Sequence, residues 1–294
     1  MTLNATSDTG TGTRTGTGTA SRRVRSAISH LLLILVAILF LGPLVYAVST
    51  SLKPADEVFT PTPELFGSEI RWQNYADAFT FAPFGRYFLN SLFVAIVGTL
   101  VVVIASSLSA YAFARLKFRG REQLFVLFLG TLMVPQEVLI VPMYWLMQSL
   151  GWVDSYWALI LPWAFTAFGT FLLRQFFMTV PTELEEAARV DGCGPFGSFL
   201  RIMLPLARPA IAVLTVFTFI AFWGSFLWPL IIVNSVAEKG TVPLGLAQFI
   251  GQQGTQWNLM MAASVLAMLP TVLLVILLQK HLVRGLLVTG LGGR

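Results

Sequence analysis

Very little in this sequence could make or break a covalent bond. One cysteine, Cys193, and two histidines, His30 and His281, cannot build a disulfide or a zinc cluster. Haem and iron–sulfur ligation are equally unsupported. The glycine-rich phosphate loop of the P-loop ATPases is missing, so no catalytic residue, metal ligand or cofactor site is assigned to the chain. Three groupings of polar chemistry stand out instead. Glu183, Glu185, Glu186 and Asp191 surround Ala187-Ala188 and precede Gly192; carboxylates there can form ion pairs or accept hydrogen bonds from a partner. Gln136 and Glu137 sit between Pro135 and Pro142 in an otherwise apolar run, where an acid is expensive and usually functional. Trp223, Ser225, Phe226 and Trp228 combine aromatic faces, which stack on the apolar face of a sugar, with a hydroxyl for its OH groups. These residues can dock and bind rather than catalyse.

Composition decides what must position them. The chain has 294 residues, 56% of them apolar or aromatic and 11% charged, against about 25% charged in an ordinary soluble domain. So few charges cannot cover a surface facing water. A mean hydropathy of +0.76 excludes intrinsic disorder as well. The solvent is largely lipid.

Six apolar runs are long enough to cross a hydrocarbon core of about 30 Å: residues 28–50, 87–113, 124–147, 156–177, 209–233 and 259–279. The first outlasts the roughly 7–15 residues of a signal-peptide core, so it reads as a retained helix after a disordered Thr/Gly-rich tail, 1–27. Ser106, Ser107, Ser109 and Ala110 in the second run suit close helix packing. Pro135, Pro142, Pro162, Pro229 and Pro270 fall inside runs. Such prolines are tolerated where neighbours or water re-satisfy freed carbonyls, which points to a bundle interior or a cavity. Counted along a continuous helix, Glu137 lies about 20 Å into its span, past the midplane. The expected fold is all-α, a polytopic membrane protein of six transmembrane helices.

The positive charge is sided. Six crossings leave fifteen Lys and Arg residues at one end, among them Arg22, Arg115, Arg121, Arg174, Arg208 and Lys280, and four at the other, Lys53, Arg71, Arg86 and Lys239. The positive-inside rule puts the rich end in the cytoplasm of a bacterial plasma membrane, with both termini and a C-terminal tail, 281–294. On the outer side, residues 51–86 and 234–258 read as loops that cap the mouth and offer docking surfaces to an external partner. On the inner side, 179–208 joins the fourth and fifth runs. Acids in the first turn after Pro181-Thr182 match the positive end of a helix dipole. Gly192 stops that helix and Pro195 forbids its simple continuation. A second helix, Phe196 to Met203, should end before Leu204-Pro205.

The inner segment carries a resemblance. Glu186-Ala187-Ala188, three residues, Gly192, nine residues, then Ile202, Met203, Leu204 and Pro205 match the EAA signature of permease subunits of ABC importers. The text from Phe171 to Phe177, Phe226-Leu-Trp-Pro-Leu230, and the end from Met261 to Gly285 resemble the carbohydrate-uptake, maltose-type branch, over residues 28–294. The resemblance implies the type I ABC importer permease fold and a coupling role for Glu183, Glu186, Ala187, Ala188, Asp191, Gly192, Ile202, Leu204 and Pro205. It implies a second homologous permease, two ATP-binding cassette subunits that hold ATP and Mg, and an extracytoplasmic solute-binding protein; no nucleic acid is involved. Where that family has an Asn, often with a polar or acidic neighbour, after the first Trp of the fifth span, Gly224 and Ser225 stand here.

Gln136, Glu137, Trp223, Ser225, Phe226 and Trp228 are the candidate substrate path. The solute expected is a sugar or oligosaccharide. Glycerol-3-phosphate or a related phosphodiester is the alternative, although no basic pocket is visible in the spans. An ion-coupled secondary transporter would typically carry inverted repeats and ion-coordinating acids; no convincing internal repeat is present, and the EAA-type loop would be unexplained. A membrane enzyme would need a nucleophile–base pair or paired carboxylates.

Overall fold

A backbone in lipid must satisfy its own N–H and C=O groups, and the apolar runs do so as helices. A computed structural model describes residues 17–60, 64–251 and 254–290; Arg14, Arg294 and the tail before residue 17 lie outside them. α1 (Thr17–Ser51) leads through a polar connection to α2 (Gln73–Phe81) and the long α3 (Phe84–Arg115). α4 (Arg121–Gly130) and α5 (Ile140–Ser149) form one broken pair, α6 (Tyr156–Ile160) and α7 (Ala167–Thr179) a second. α8 (Glu183–Val190), α9 (Pro195–Ser198) and α10 (Leu204–Leu206) make the connecting segment. α11 (Arg208–Trp223) and α12 (Leu227–Ile232) follow, then α13 (Val236–Lys239) and α14 (Val242–Ala247). A small hairpin of β1 (Ile250–Gly251) and β2 (Gly254–Thr255) precedes the last helix, α15 (Trp257–Gly290).

Among the described residues, α1, α3 and α15 are each long and apolar enough to cross a membrane. Three bent pairs, Arg121–Met133 with Gln136–Ser149, Tyr156–Trp163 with Ala167–Thr179, and Pro195–Leu206 with Arg208–Trp223, bring the count to as many as six. The all-α polytopic expectation holds, with corrections to its details. α1 begins at Thr17, so residues 17–27 are helical rather than tail, and α15 runs on to Gly290 through most of the expected C-terminal tail. Residues 124–147 are not one straight helix: the chain opens at Val134-Pro135 and turns by 93°. The proline lacks an N–H and disfavours helix in the residue before it. Counting helical rise to Glu137 therefore does not give its depth. Leu204-Pro205 does not end the second connecting helix either. Phe199–Met203 widens into a π-turn in which the Leu204 N–H reaches the Phe199 carbonyl. That widening relieves the clash a proline makes with the preceding turn. The break comes at Ala207 instead.

α3 is the hub. Of its most apolar stretch 39% is buried, against 6% for α1 and 17% for α15. It packs on α7 and α11, and α11 packs on α15, while α1 reaches the bundle through α15. Its buried face is made of small residues, among them Ser91, Ala95, Gly98, Val102, Ser106 and Ala110, which lets backbones approach closely. Gly169 of α7 abuts Ser106, with Leu214 of α11 alongside. Leu39 and Phe40 of α1 are 69% and 73% exposed. They face the hydrocarbon that is their solvent.

The connections at the Arg-poor end, around residues 51–86 and 234–258, are packed rather than merely draped. Asn74 is buried, and its amide donates to the Ser51 and Lys53 carbonyls. It also accepts from Asn258 at the start of α15. Within 234–258, α13 and α14 lie against α3. The Asn90 amide donates to the carbonyls of Glu238 and Gly240, and the Val242 N–H donates to Ser91 Oγ at 2.7 Å. The segment expected as a capping loop with a docking surface thus also contributes buried Val242, Leu244 and Phe249 to the core.

A larger side chain at Gly169 has no room beside Ser106 and Leu214. Gly169→Leu should lower stability by about 1–3 kcal/mol, the cost of overpacking, seen as a lower melting temperature of the purified protein in detergent.

Candidate functional site

Two places deserve the word site: the EAA segment at the Arg-rich end, and a cavity between the broken helices. In the segment, α8 carries Glu183, Glu185 and Glu186 in its first turn. Its end is closed by Gly192 at φ +83°. The Cys193 N–H returns to the Ala188 carbonyl at 2.8 Å and the Gly192 N–H to Arg189. This left-handed exit suits glycine and terminates the helix cleanly. Glu183, Glu186, Ala187, Asp191 and Gly192 are exposed, and Ala188 is half-buried. Ile202 and Leu204 are half-buried, with Leu204 packed against the cluster of Tyr111, Phe177, Phe199 and Met203. Pro205 is exposed.

The residue that ties the segment to the bundle is Glu185, which the candidate list omits. Its carboxylate meets Arg115 Nε at 2.9 Å, with both side chains 10% exposed. Arg115, at the end of α3, also donates to the Phe177 carbonyl at 2.7 Å and to the Val180 carbonyl, so one guanidinium joins α3, the end of α7 and α8. Tyr111 adds a hydrogen bond to the Pro195 carbonyl at 3.0 Å. Alongside, Arg174 is 4.0 Å from the centroid of the Phe125 ring. It pairs with Glu122 at 3.1 Å and donates to the Phe113 carbonyl. Motif spacing alone marks the exposed acids. The buried partner is marked only by the pairing of Arg115 with an acid one helix away in space and 70 residues away in sequence.

The cavity has a volume of about 540 Å³ and lies where three helix breaks meet. Gln136 and Glu137 come from the break between α4 and α5. Trp163 and Thr166 come from the break between α6 and α7. Ser225, Phe226 and Trp228 come from the break after α11. Five of the six candidate path residues therefore share one wall. Trp223 does not. It is buried, stacks on Phe219 and donates its ring N–H to the Ala267 carbonyl at 3.0 Å; it is core between α11 and α15. Trp228 lines the cavity, but its ring N–H is committed to the Ala158 carbonyl at 2.9 Å and its ring stands edge-on to Trp163, so it offers a face and no donor. Thr166, Thr218 and Thr241 also line the wall. Sequence reading passed over them because single threonines in or beside spans carry no spacing signal.

At the opposite end, Asp154 locks two connections together. It has φ +59°. Its carboxylate accepts from the Asn234 and Ser235 N–H groups, the Ser235 hydroxyl and the Lys239 ammonium. Burial alone would push the Asp154 carboxyl up. The bonds from Ser235, Lys239 and the Asn234 backbone outweigh it and hold the group at about 2.

Residues 102–288 match the family described as binding-protein-dependent transport system inner membrane component. A protein named sn-glycerol-3-phosphate transport system permease protein from Yersinia pestis bv. Antiqua (strain Antiqua) is 40% identical over 274 residues, covering 90% of this chain and 97% of its own. The protein of the same name from Agrobacterium fabrum is 36% identical over 278 residues, covering 92% and 98%. Among solved structures, a chain of a bacterial ABC transporter involved in the import of the acidic polysaccharide alginate aligns with a TM-score of 0.79 at 22% identity. The match spans 89% of this chain and 98% of that one. At that identity the likeness concerns the fold.

Removing Arg115 strands a buried carboxylate. Arg115→Ala should cost about 3–5 kcal/mol, read as faster proteolysis of residues 180–195, and Arg115→Met with Glu185→Leu should recover most of the loss. At the other end, the Asp154 carboxyl lies below its ordinary 3.8, so its stabilisation is whole above that value and is lost as the pH falls through about 2. Melting temperatures of wild type and Asp154→Asn should therefore differ near neutral pH and converge on acidification toward about pH 2.

Proposed function

The chain belongs to the family of binding-protein-dependent transport system inner membrane components, and we propose that it is one permease half of an ATP-driven importer for glycerol-3-phosphate or a related phosphodiester. It is a multi-pass membrane protein of the ABC importer permease class, not an enzyme of its own. The substrate reading rests on one observation: relatives 40% and 36% identical over nearly their whole lengths carry that substrate in their names. The sugar reading names the broader solute class. It draws support from a cavity wall of aromatic faces, hydroxyls and an amide with no Lys or Arg among the described residues.

The geometry of the Arg-rich end supports a reading of the rest of the machine. α8 presents Glu183, Glu186, Ala187 and Val190 outward, and beyond its end Asp191 and, in α9, Phe196 are exposed too, Val190 at 89% and Phe196 at 64%. A rigid, capped helix with small and apolar residues facing out suits a cleft in an ATP-binding subunit. ATP and Mg would be held by a pair of such subunits, and their closure would carry α8 with it. Through Arg115 the displacement reaches α3, and α3 lines the cavity at Val94 and Val102. Alternating access then opens the cavity to either side. The positive-inside rule supports a plasma-membrane orientation with the Arg-rich end and both termini in the cytoplasm. An extracytoplasmic binding protein would deliver solute at the Asp154 end, and a second permease would close the cavity's open side.

Reconstituted with a partner permease, two ATPase subunits and the binding protein, the chain should support ATP-dependent uptake of glycerol-3-phosphate into proteoliposomes, and alone it should support none. Uptake by the isolated chain would overturn the reading. Gly192→Val, which forces a β-branched residue into a left-handed turn, should abolish most uptake while the chain still assembles in the membrane.

A further inference from the structure

The wall this chain contributes has one kind of charge. Glu137 lies beside Gln136 at the first helix break, and around them stand Thr218, Ser225 and Thr241. Thr166 Oγ1 is occupied by the Gly169 N–H at 2.9 Å, whereas the Thr241 residue is 3% exposed and its hydroxyl is buried without a hydrogen-bond partner. Among the described residues no Lys or Arg lines the cavity. Three cations of the described residues are committed to acids of their own: Arg115 to Glu185, Arg174 to Glu122, and Lys239 to Asp154. Carboxylate, amide and hydroxyls are the partners a polyol needs, because a carboxylate accepts strong, charge-assisted hydrogen bonds from hydroxyls. The same carboxylate repels a phosphate at short range.

A wall built for hydroxyls in a relative of glycerol-phosphate permeases points to a division of labour. Resting on the glycerol-3-phosphate reading above, we propose that this chain binds the polyol end of the solute and turns the phosphate away, with Glu137 as the specificity-determining residue. The phosphate then faces the partner permease, which must supply the cations this half lacks. The solute lies across the subunit boundary with its two ends read by different chains. Inorganic phosphate, which has no polyol end, gains nothing from this wall and meets only the repulsion of Glu137.

The test is direct binding to the complete purified transporter in detergent, with glycerol-3-phosphate and inorganic phosphate as probes. Wild type should prefer glycerol-3-phosphate. Glu137→Gln should lower the ratio of the two affinities by about tenfold or more, and Glu137→Lys should lower it further and admit inorganic phosphate. Co-purification of all subunits checks that each variant assembles, and the near-isosteric Glu137→Gln keeps the test open should Glu137→Lys fail to. An unchanged ratio in an assembled Glu137→Gln transporter overturns the division of labour while leaving the substrate reading intact. A wild-type transporter that binds and imports a neutral sugar but not glycerol-3-phosphate overturns the substrate reading itself.

Discussion

The constraint on which the rest depends is that hydrocarbon offers a backbone no hydrogen bonds. A helix can open inside a membrane only where protein or a water-filled cavity receives the freed groups. This chain opens three apolar runs, at Val134-Pro135, between Trp163 and Ala167, and at Gly224-Ser225. All three openings border one cavity. The coincidence is physical. Each break would be prohibitively costly against lipid, and each becomes tolerable when the other two enclose a shared polar space. The breaks in turn bring polar side chains to the cavity: Gln136 and Glu137 from the first, Thr166 from the second, Ser225 from the third. Site and irregularity have one origin.

α3 connects that cavity to the Arg-rich end because it is the most buried long helix and is unbroken over 32 residues. One face of it is small enough for α7 and α11 to pack closely. Its end carries Arg115, whose guanidinium holds two carbonyls at the end of α7 together with the Glu185 carboxylate. A salt bridge between groups 10% exposed contributes little net stability, since desolvation offsets attraction. Its worth is geometric: α8 cannot shift without shifting α3 and α7 or stranding a charge. That is the property wanted of an element that transmits displacement.

Much of this was legible in the amino-acid order, and what was not has identifiable reasons. Long apolar runs and a sided Lys/Arg distribution express a one-dimensional constraint, membrane thickness, so the helices were readable. The EAA spacing was readable because an exposed helix–glycine–helix is local. The cavity was readable only in outline: Pro135 and Pro162 stand at breaks, whereas Pro142 and Pro270 lie inside continuous helices. The 93° turn was not, because its angle is set by what α4 and α5 pack against. Trp223 was misassigned for the same reason. Trp223 and Trp228 lie five residues apart across a break, and only the packing of α15 decides that the first turns into the core and the second toward the cavity. Glu185 looked like its neighbours Glu183 and Glu186 until α3 brought Arg115 to it.

Exposed apolar surface carries different meanings at two levels of the molecule. Along α1 the exposed Leu, Ile and Phe side chains form a sleeve around a helix that touches the bundle chiefly through α15, and lipid satisfies them. Val190, at 89%, is more exposed than any of these, and Phe196, at 64%, is comparable to them. Yet they flank Gly192 in a segment with Glu183, Glu186, Arg189, Asp191 and Arg201 around them. Such a density of charge belongs outside hydrocarbon, where each ionised group at depth would cost about 3 kcal/mol. Lipid therefore cannot be what covers Val190 and Phe196. In water, two large apolar side chains held outward on a rigid turn call for a protein surface. The same sequence segment that declares its family by spacing thus carries, by exposure, the apolar surface on which the proposed docking of a partner rests.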